Sequence, residues 1–366
     1  MMTPRVIAFY LPQFHPIPEN DAWWGKGFTE WTNIKKENQF SDGLKPLDDN
    51  YYNILNIETV EWQTKLMKEY GIYGFCYYHY WFKGKKLLEK PAENLLKNKN
   101  INQKFCFCWA NHNWYRSWLG SKEILIEQEY GAELDWQNHF DYLKNFFIDK
   151  RYIKIENKPV FVVLNNFKQK ENIINYFDKK CREIGFNGIY IIESIWRFPN
   201  IKDISERTEA ILLREPDMSY TAYIRHNPML RLILKTERLF NNGFNTKKTF
   251  KMRSVKVNKI FNISLGRIKK LKINKKCYPG IFSMWDNTYR HEERGYKIYP
   301  PSQEEYIVYL NKIKDICKNR ELDFIFFNAW NEWAEGMTLE PSNIHGYRFL
   351  EGIREVFGNG NGNDQL

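Results

Sequence analysis

The chain has 366 residues and a formal net charge of +11, and it is rich in aromatic side chains, with 13 Trp, 23 Tyr and 26 Phe. This length suffices for one large domain or two ordinary ones, with a sizeable core. No run of about 18 apolar residues occurs, which excludes a membrane-spanning helix, and the short apolar run at 6–11 lacks the cleavage site of a secretory signal.

Eight apolar runs recur along the chain with helical stretches between them. Eight strands separated by helices are typical of an α/β (β/α)8 TIM-type barrel, although a doubly wound open sheet gives the same local pattern. The count of eight, and the polar or aromatic residues that end nearly every run, favour the barrel. We predict a single barrel domain over 1–366, with strands at 5–11, 71–81, 104–111, 158–165, 188–193, 210–215, 280–286 and 324–328.

The carboxyl ends of the predicted strands carry aromatic rings, amides and carboxylates. Barrel enzymes work at this end of the strands, and such residues suit a sugar, which offers apolar faces and a rim of hydroxyls. About half of the rings at 77–81 are expected to be core, and the loop at 21–31 is either a lid over the site or a small core of its own. The predicted substrate-binding residues are Tyr10, Gln13, His15, Trp24, Glu30, Trp31, Tyr78, His79, Trp81, Trp109, Asn111, Asn113, Glu193, Glu215, Trp285 and Asn331.

A pair of glutamates follows the last apolar strand. Glu332 and Glu335 are three residues apart among Trp330, Asn331 and Trp333, so one helical turn or a tight loop brings both carboxylates to the same side. Glycosidic chemistry needs one carboxylic acid and one base or nucleophile. We predict that this pair is catalytic; the alternative is a loop with two solvated glutamates and two core tryptophans.

The histidines and cysteines do not indicate a metal site. His15, His79 and His112 lack the HxH and HExxH spacings, and Cys106 and Cys108 stand too close together for the usual zinc pattern. We therefore expect no metal and no cofactor, and six reduced thiols in a cytoplasmic protein.

Positive charge is concentrated at 225–276, which holds sixteen Lys and Arg residues and one acidic residue, Glu237. We interpret this segment as a basic insertion between strands six and seven. Because it also carries apolar residues, it suits peripheral contact with an anionic membrane, at the inner membrane face. A solvated helical hairpin is the alternative, and no motif supports nucleic acid.

Several segments resemble the WbsX family of bacterial surface-polysaccharide clusters, whose domain is similar to glycoside hydrolase family 99. The segments that carry the resemblance are 8–15, 23–31, 70–81, 108–111, 285–288 and 328–341, including Trp23-Trp24-Gly25-Lys26-Gly27-Phe28-Thr29-Glu30-Trp31. The resemblance implies a (β/α)8 barrel. The hydrolases are retaining endo-α-mannosidases, for which a mechanism through a 1,2-anhydro sugar is described. By position, Glu332 matches the base toward the sugar 2-hydroxyl, and Glu335 matches the general acid.

The carboxylate pair and the aromatic strand ends predict an enzyme that cleaves or forms glycosidic bonds. The resemblance implies that it does so with retaining chemistry in bacterial surface polysaccharide (O-antigen or capsule) biosynthesis. The expected partners are an oligosaccharide, a polysaccharide or a lipid-linked glycan. An endo-acting glycoside hydrolase and a non-catalytic carbohydrate-binding barrel are the alternatives. The chain has no Asp-x-Asp motif, so a sugar-nucleotide donor would be bound unconventionally.

Overall fold

Apolar runs without alternation form the parallel strands of a closed barrel, because parallel strands covered by helices are buried on both faces. The computed structural model describes residues 3–38, 43–116, 123–196, 204–239, 253–271, 273–288 and 295–358. The barrel strands are β1 (Arg5–Tyr10), β2 (Ile72–Phe82), β3 (Phe105–Trp109), β4 (Lys158–Val163), β5 (Tyr190–Ile195), β6 (Ala210–Leu213), β7 (Lys276–Ile281) and β8 (Phe324–Phe327).

Each barrel strand pairs in parallel with the next one in the chain, and β1 pairs with both β2 and β8. The sheet is therefore closed, and the predicted (β/α)8 barrel is confirmed. All four residues of β8 are completely buried, as expected of a strand between the barrel interior and the helical layer. The six cysteines are all buried and free.

One predicted strand is displaced. We expected strand seven at 280–286, but β7 begins at Lys276, and Trp285–Asp286 forms a separate short strand. Pro279, inside β7, obscured its start, since proline is rare within a sheet. Gly280 lies so close to β6 that a Cβ there would stand 2.3 Å from the carbonyl oxygen of Leu213.

Eleven helices in the described residues surround or extend the barrel, and short strands and 3-10 turns shape its loops. The helices are α1 (Pro18–Trp24), α2 (Glu30–Asn38), α3 (Ile57–Glu69), α4 (Lys90–Lys97), α5 (Glu133–Phe147), α6 (Lys170–Glu183), α7 (Asp217–Arg225), α8 (Pro228–Leu239), α9 (Val257–Lys270), α10 (Gln303–Asn319) and α11 (Arg348–Phe357). The other short elements are Lys85–Leu87, Trp114–Tyr115, Ile124–Ile126, Lys154–Ile155, Val255–Lys256, Lys297–Tyr299, Asn331–Glu332, Met337–Thr338 and the 3-10 turns Leu47–Asp49 and Trp333–Glu335.

The basic segment at 225–276 has two structural roles. Helix α9 buries one face, including Ile260, Phe261 and Ile268, and leads into β7, so it supplies the connection that completes the barrel. Helix α8 is additional to that connection, and residues 240–252 lie outside the described part of the chain. Over the ranges given above, we find no helix long and apolar enough to cross a membrane.

Candidate active site

The chain turns back on itself directly after β8. Asn331–Glu332 pairs antiparallel with Met337–Thr338, and the 3-10 turn Trp333–Glu335 joins the two short strands. Gly336 ends the turn with φ 61°, a left-handed conformation that favours glycine. A Cβ at this position would also lie 2.8 Å from Cβ of Asp286. This tight hairpin brings Glu332 and Glu335 to the same cavity.

Polar side chains hold the hairpin from behind. Asn331 bonds both main-chain groups of Leu11: its Oδ1 accepts from the amide at 2.7 Å, and its Nδ2 donates to the carbonyl at 3.0 Å. The amide of Ala334 donates to Oε1 of Glu30 at 3.3 Å. These bonds fix the two residues that precede the catalytic candidates, Asn331 before Glu332 and Ala334 before Glu335.

A second buried carboxylate, Glu340, holds the tryptophan between the pair. The indole Nε1 of Trp333 donates to Glu340 Oε2 at 2.7 Å, and Nε2 of Gln63 donates to Oε1 at 2.7 Å. The hydroxyl of Tyr52 bonds the same carboxyl group at 2.9 Å. Burial raises the pKa of Glu340 to about 7, although these donors oppose the shift. The hairpin thus has a rigid polar support.

The cavity in front of the hairpin has a volume of about 380 Å³ and opens at the carboxyl end of the barrel. In the part of the chain that the structure describes, residues in or shortly after β1, β2, β3, β4, β6, β7 and β8 contribute to it. Its walls carry both aromatic rings and hydrogen-bonding groups, as in sites that bind sugars. The lining residues are Leu11, Gln13, Asn20, Trp24, Tyr78, Tyr80, Ala110, His112, Asn113, Trp114, Tyr115, Leu125, Leu164, Arg214, Asp217, Trp285, Asn328, Glu332, Glu335 and Met337.

Three carboxylates and one guanidinium share this cavity. Nε of Arg214 donates to Oδ2 of Asp217 at 3.0 Å. Burial raises the pKa of Asp217, Arg214 opposes that shift, and the negative charge of Glu335 adds to it. Burial, and then the charge of Glu332, raise the pKa of Tyr78 well above its ordinary value, so its hydroxyl stays protonated. The site therefore offers acids, bases and neutral hydrogen-bond donors in one space.

Seven of the predicted site residues line the cavity: Gln13, Trp24, Tyr78, Asn113, Trp285, Glu332 and Glu335. Eleven do not: Tyr10, His15, Glu30, Trp31, His79, Trp81, Trp109, Asn111, Glu193, Glu215 and Asn331. Glu30 and Asn331 support the hairpin, as described above.

The predicted residues on β2 and β3 that miss the cavity pack against the barrel helices. Nε2 of His79 bonds Nε2 of His139 on α5 at 2.8 Å, and the ring of Trp81 stacks on His139 with a centroid separation of 4.5 Å. Trp109 is also in ring contact with His139. Successive side chains of a strand point to opposite faces, so Tyr78 faces the cavity while its neighbour His79 faces the helices.

The other predicted residues have partners inside the protein. Glu193 accepts from Nζ of Lys170 at 2.8 Å, and Glu215 accepts from the hydroxyl of Ser219 at 2.6 Å. The remaining four side chains bond as follows: Tyr10 to Gln63, His15 to the carbonyl of Pro12, Trp31 to the carbonyl of Tyr52, and Asn111 to the carbonyl of Asn165.

Sequence reasoning missed Arg214 and Asp217. Arg214 and Glu215 both follow β6, and the sequence prediction names only the glutamate. A strand buried on both faces gives no alternation from which to decide which of two neighbours points inward. The other cavity residues outside the prediction with polar or aromatic side chains are Asn20, Tyr80, His112, Trp114, Tyr115 and Asn328.

Comparison with known proteins places this chain among carbohydrate-active proteins. A family described as Glycosyltransferase WbsX matches residues 6–353. The uncharacterized protein WxcX of Xanthomonas campestris pv. campestris, from strains B100 and ATCC 33913, is 31% identical over 363 residues. That match covers 96% of this chain and 49% of WxcX, so the chain spans about half the length of the curated relatives it matches.

Solved structures share the fold at low sequence identity. A glycoside hydrolase-like protein superposes with a TM-score of 0.62 and 14% identity, covering 98% of this chain and 94% of its own. The GH99 endo-α-mannosidase from Bacteroides thetaiotaomicron superposes with a TM-score of 0.55 and 10% identity, covering 98% of this chain and 99% of its own. These likenesses support the barrel architecture.

Proposed function

The chain belongs to the WbsX glycosyltransferase family, and on this premise we propose that it is a retaining enzyme of bacterial surface-polysaccharide biosynthesis that uses Glu332 and Glu335. The observation that supports this proposal most directly is the hairpin after β8, which presents both glutamates to one cavity at the carboxyl end of the barrel. Barrel enzymes carry their catalytic groups at this end. The aromatic walls suit a glycan, because rings pack on sugar faces.

In the proposed reaction, the two glutamates have different tasks. Glu332 removes the proton of the sugar 2-hydroxyl, whose oxygen displaces the leaving group and forms a 1,2-anhydro sugar. Glu335 gives its proton to the leaving glycosidic oxygen. In the second step, Glu335 deprotonates the acceptor, which opens the three-membered ring, and Glu332 returns its proton to the 2-oxygen. A sugar hydroxyl as acceptor gives transfer, and water gives hydrolysis.

Gln variants of the two glutamates test this proposal on neutral α-linked manno-oligosaccharides, with products followed by mass spectrometry. We expect Glu332→Gln to lower turnover by ~10²–10⁴-fold whatever the leaving group. Glu335→Gln should lose a similar factor on natural glycans but retain turnover with an aryl leaving group that needs no proton. A substrate without its 2-hydroxyl should bind and not react.

The control is Glu61→Gln, at an exposed position on α3, which should keep wild-type turnover. Full activity in both active-site variants would disprove the assignment. Binding of glycans without turnover by the wild type would instead favour a non-catalytic carbohydrate-binding barrel.

A second proposal concerns helix α8 as a peripheral contact with an anionic membrane, where a lipid-linked glycan would be available. Met229 and Leu232 are 64% and 62% exposed, and they share the helix with the exposed cations Arg231 and Lys235. An amphipathic helix of this kind suits the headgroup region of a membrane. Basic residues at the other end of the segment bond groups of the barrel instead. Arg267 bonds the carbonyl of Met218, Lys275 bonds the carbonyl of Thr208, and Lys276 bonds Asp323.

Vesicle sedimentation tests the membrane contact. The double variant Arg231→Gln/Lys235→Gln should bind phosphatidylglycerol vesicles about 30-fold more weakly than the wild type, since each cation near such a surface contributes ~1 kcal/mol. The matched control Lys65→Gln/Lys68→Gln removes two exposed cations from α3 and should bind as the wild type does. Equal binding by both double variants would exclude α8 as the contact.

A further inference from the structure

An arginine and an aspartate from consecutive elements form an ion pair inside the active-site cavity. Arg214 directly follows β6, and Asp217 is the first residue of α7. Their side chains are 18% and 27% exposed, and both line the cavity that contains Glu335. The proposed acid–base steps use neither residue.

The pair leaves hydrogen-bonding groups available to a ligand. Asp217 engages Nε of Arg214 at 3.0 Å through Oδ2. Among the described residues, the side chain of Arg214 forms its hydrogen bond through Nε, and its two Nη groups have no hydrogen-bond partner in the protein. A guanidinium presents its donors in a fixed plane, and a carboxylate oxygen accepts more than one hydrogen bond. Donors and an acceptor therefore stand side by side in the cavity.

The charges around the pair favour a neutral ligand group over an anionic one. Asp217 neutralises Arg214, so the guanidinium has little attraction left for a further negative charge. A carboxylate or phosphate at this point would be repelled by Asp217, and also by Glu335 whenever Glu335 does not carry the proton that it gives to the leaving oxygen. A sugar hydroxyl both donates and accepts, so it satisfies the arginine and the aspartate without adding charge.

We propose that Arg214 and Asp217 form a subsite that binds two neighbouring hydroxyl groups of a neutral sugar unit and rejects a carboxylated or phosphorylated sugar there. This inference rests on the proposed function, because it assumes that the cavity receives a glycan. The Nη groups of Arg214 donate to one hydroxyl, and Asp217 accepts from its neighbour. Hydrogen bonds to charged groups are stronger than neutral ones, and a site built to bond a hydroxyl discriminates well against ligands that do not fit it.

Binding measurements test the subsite separately from catalysis. The probes are neutral α-linked manno-oligosaccharides, oligogalacturonates and phosphorylated manno-oligosaccharides, and dissociation constants are measured by calorimetry. We expect the wild type to prefer the neutral series. Arg214→Lys keeps the charge but loses the planar donors, and should weaken neutral binding by about 10- to 100-fold. Asp217→Asn should weaken neutral binding and strengthen binding of the acidic probes, because it removes the charge that offsets the arginine.

A double variant distinguishes loss of the subsite from loss of folding. Arg214→Gln/Asp217→Asn removes both charges together, so no buried charge is left without its partner, and it should lose neutral binding while its urea midpoint stays near that of the wild type. Tighter binding of the acidic probes by the wild type, or unchanged neutral binding in Arg214→Lys and in the double variant, would overturn the proposal. Glu332→Gln and Glu335→Gln should retain glycan binding, so a failure of the catalytic proposal remains distinguishable from a failure of the subsite.

Discussion

Four of the predicted site glutamates lie in β5 or after β6 and β8, and their surroundings differ. Glu332 and Glu335, after β8, line the cavity. Glu193, in β5, accepts from Lys170 at 2.8 Å and from the amide of Ser205 at 2.8 Å. Glu215, after β6, accepts from both the amide and the hydroxyl of Ser219, at 3.0 and 2.6 Å. A carboxylate at the functional end of a barrel is therefore not sufficient evidence of a functional role.

Two of these carboxylates bond other groups of the protein, and the other two line the cavity. Glu193 and Glu215 each bond groups of the protein that stabilise the fold. The hairpin with Glu332 and Glu335 is itself held by bonds through its neighbours Asn331, Trp333 and Ala334. Support from adjacent residues directs the glutamates toward the cavity, as a site that must hold its reacting groups in place requires. The comparison predicts that variants of the β5 and β6 glutamates affect stability rather than turnover.

The largest expected effect on stability is that of Glu193→Gln. The ion pair between Glu193 and Lys170 is almost fully buried, with side chains 8% and 6% exposed. Replacing the carboxylate with an amide takes the negative charge out of this buried pair and disturbs the hydrogen bonds that Glu193 accepts from Ser205 and Thr208, which costs ~3–5 kcal/mol of unfolding free energy. Urea denaturation measures this loss, and turnover per folded molecule should stay near that of the wild type.

Glu209→Gln is the matched control, since Glu209 bonds Lys158 at 2.6 Å with side chains 37% and 20% exposed. A pair near the surface contributes less than ~1 kcal/mol. If the Glu193 variant kept its stability and lost turnover instead, Glu193 would belong with the cavity glutamates, and the comparison would fail.

The fold could be predicted from the sequence because each barrel strand is a continuous apolar run with a polar end. β7 was misplaced because Pro279 interrupts the interior of its apolar run, whereas Pro159 stands near the start of β4, where proline is tolerated. The Glu332–Glu335 spacing also carried information, since residues three apart in any tight turn come close together, and both line the cavity.

The other site residues could not be predicted. The continuous apolar runs that reveal the strands do not show which side chains point into the barrel. A strand buried on both faces shows no alternation, so the sequence does not say which of Tyr78 and His79, or which of Arg214 and Glu215, faces inward. Register is decided by pairing across the whole barrel. Residues that follow the strands, such as Asp217 and Asn20, depend on loop geometry, which is not encoded in periodicity.

The last prediction concerns the dependence of stability on pH through Glu215. Burial raises its pKa from 4.5 to about 7, although the bonds from Ser219 and the charge of Arg267 oppose the shift. Between these two values, the unfolded chain has lost the proton that the folded protein retains. The folded state then binds more protons than the unfolded one, so the contribution of Glu215 to stability falls as pH rises from about 4.5 to about 7 and is constant above that. A shift of this size corresponds to about 3 kcal/mol.

Glu215→Gln removes this contribution, because glutamine does not ionise. Below pH 4.5, wild type and variant should have similar unfolding free energies, and the variant should gain by up to about 3 kcal/mol relative to the wild type as pH rises to 7. Urea denaturation at a series of pH values measures the difference, and Glu61→Gln, at an exposed position, should show no such trend. The burial-raised pKa of Glu340 is common to all three proteins and cancels in the difference. A flat difference accompanied by loss of turnover would move Glu215 from the structural group to the active site.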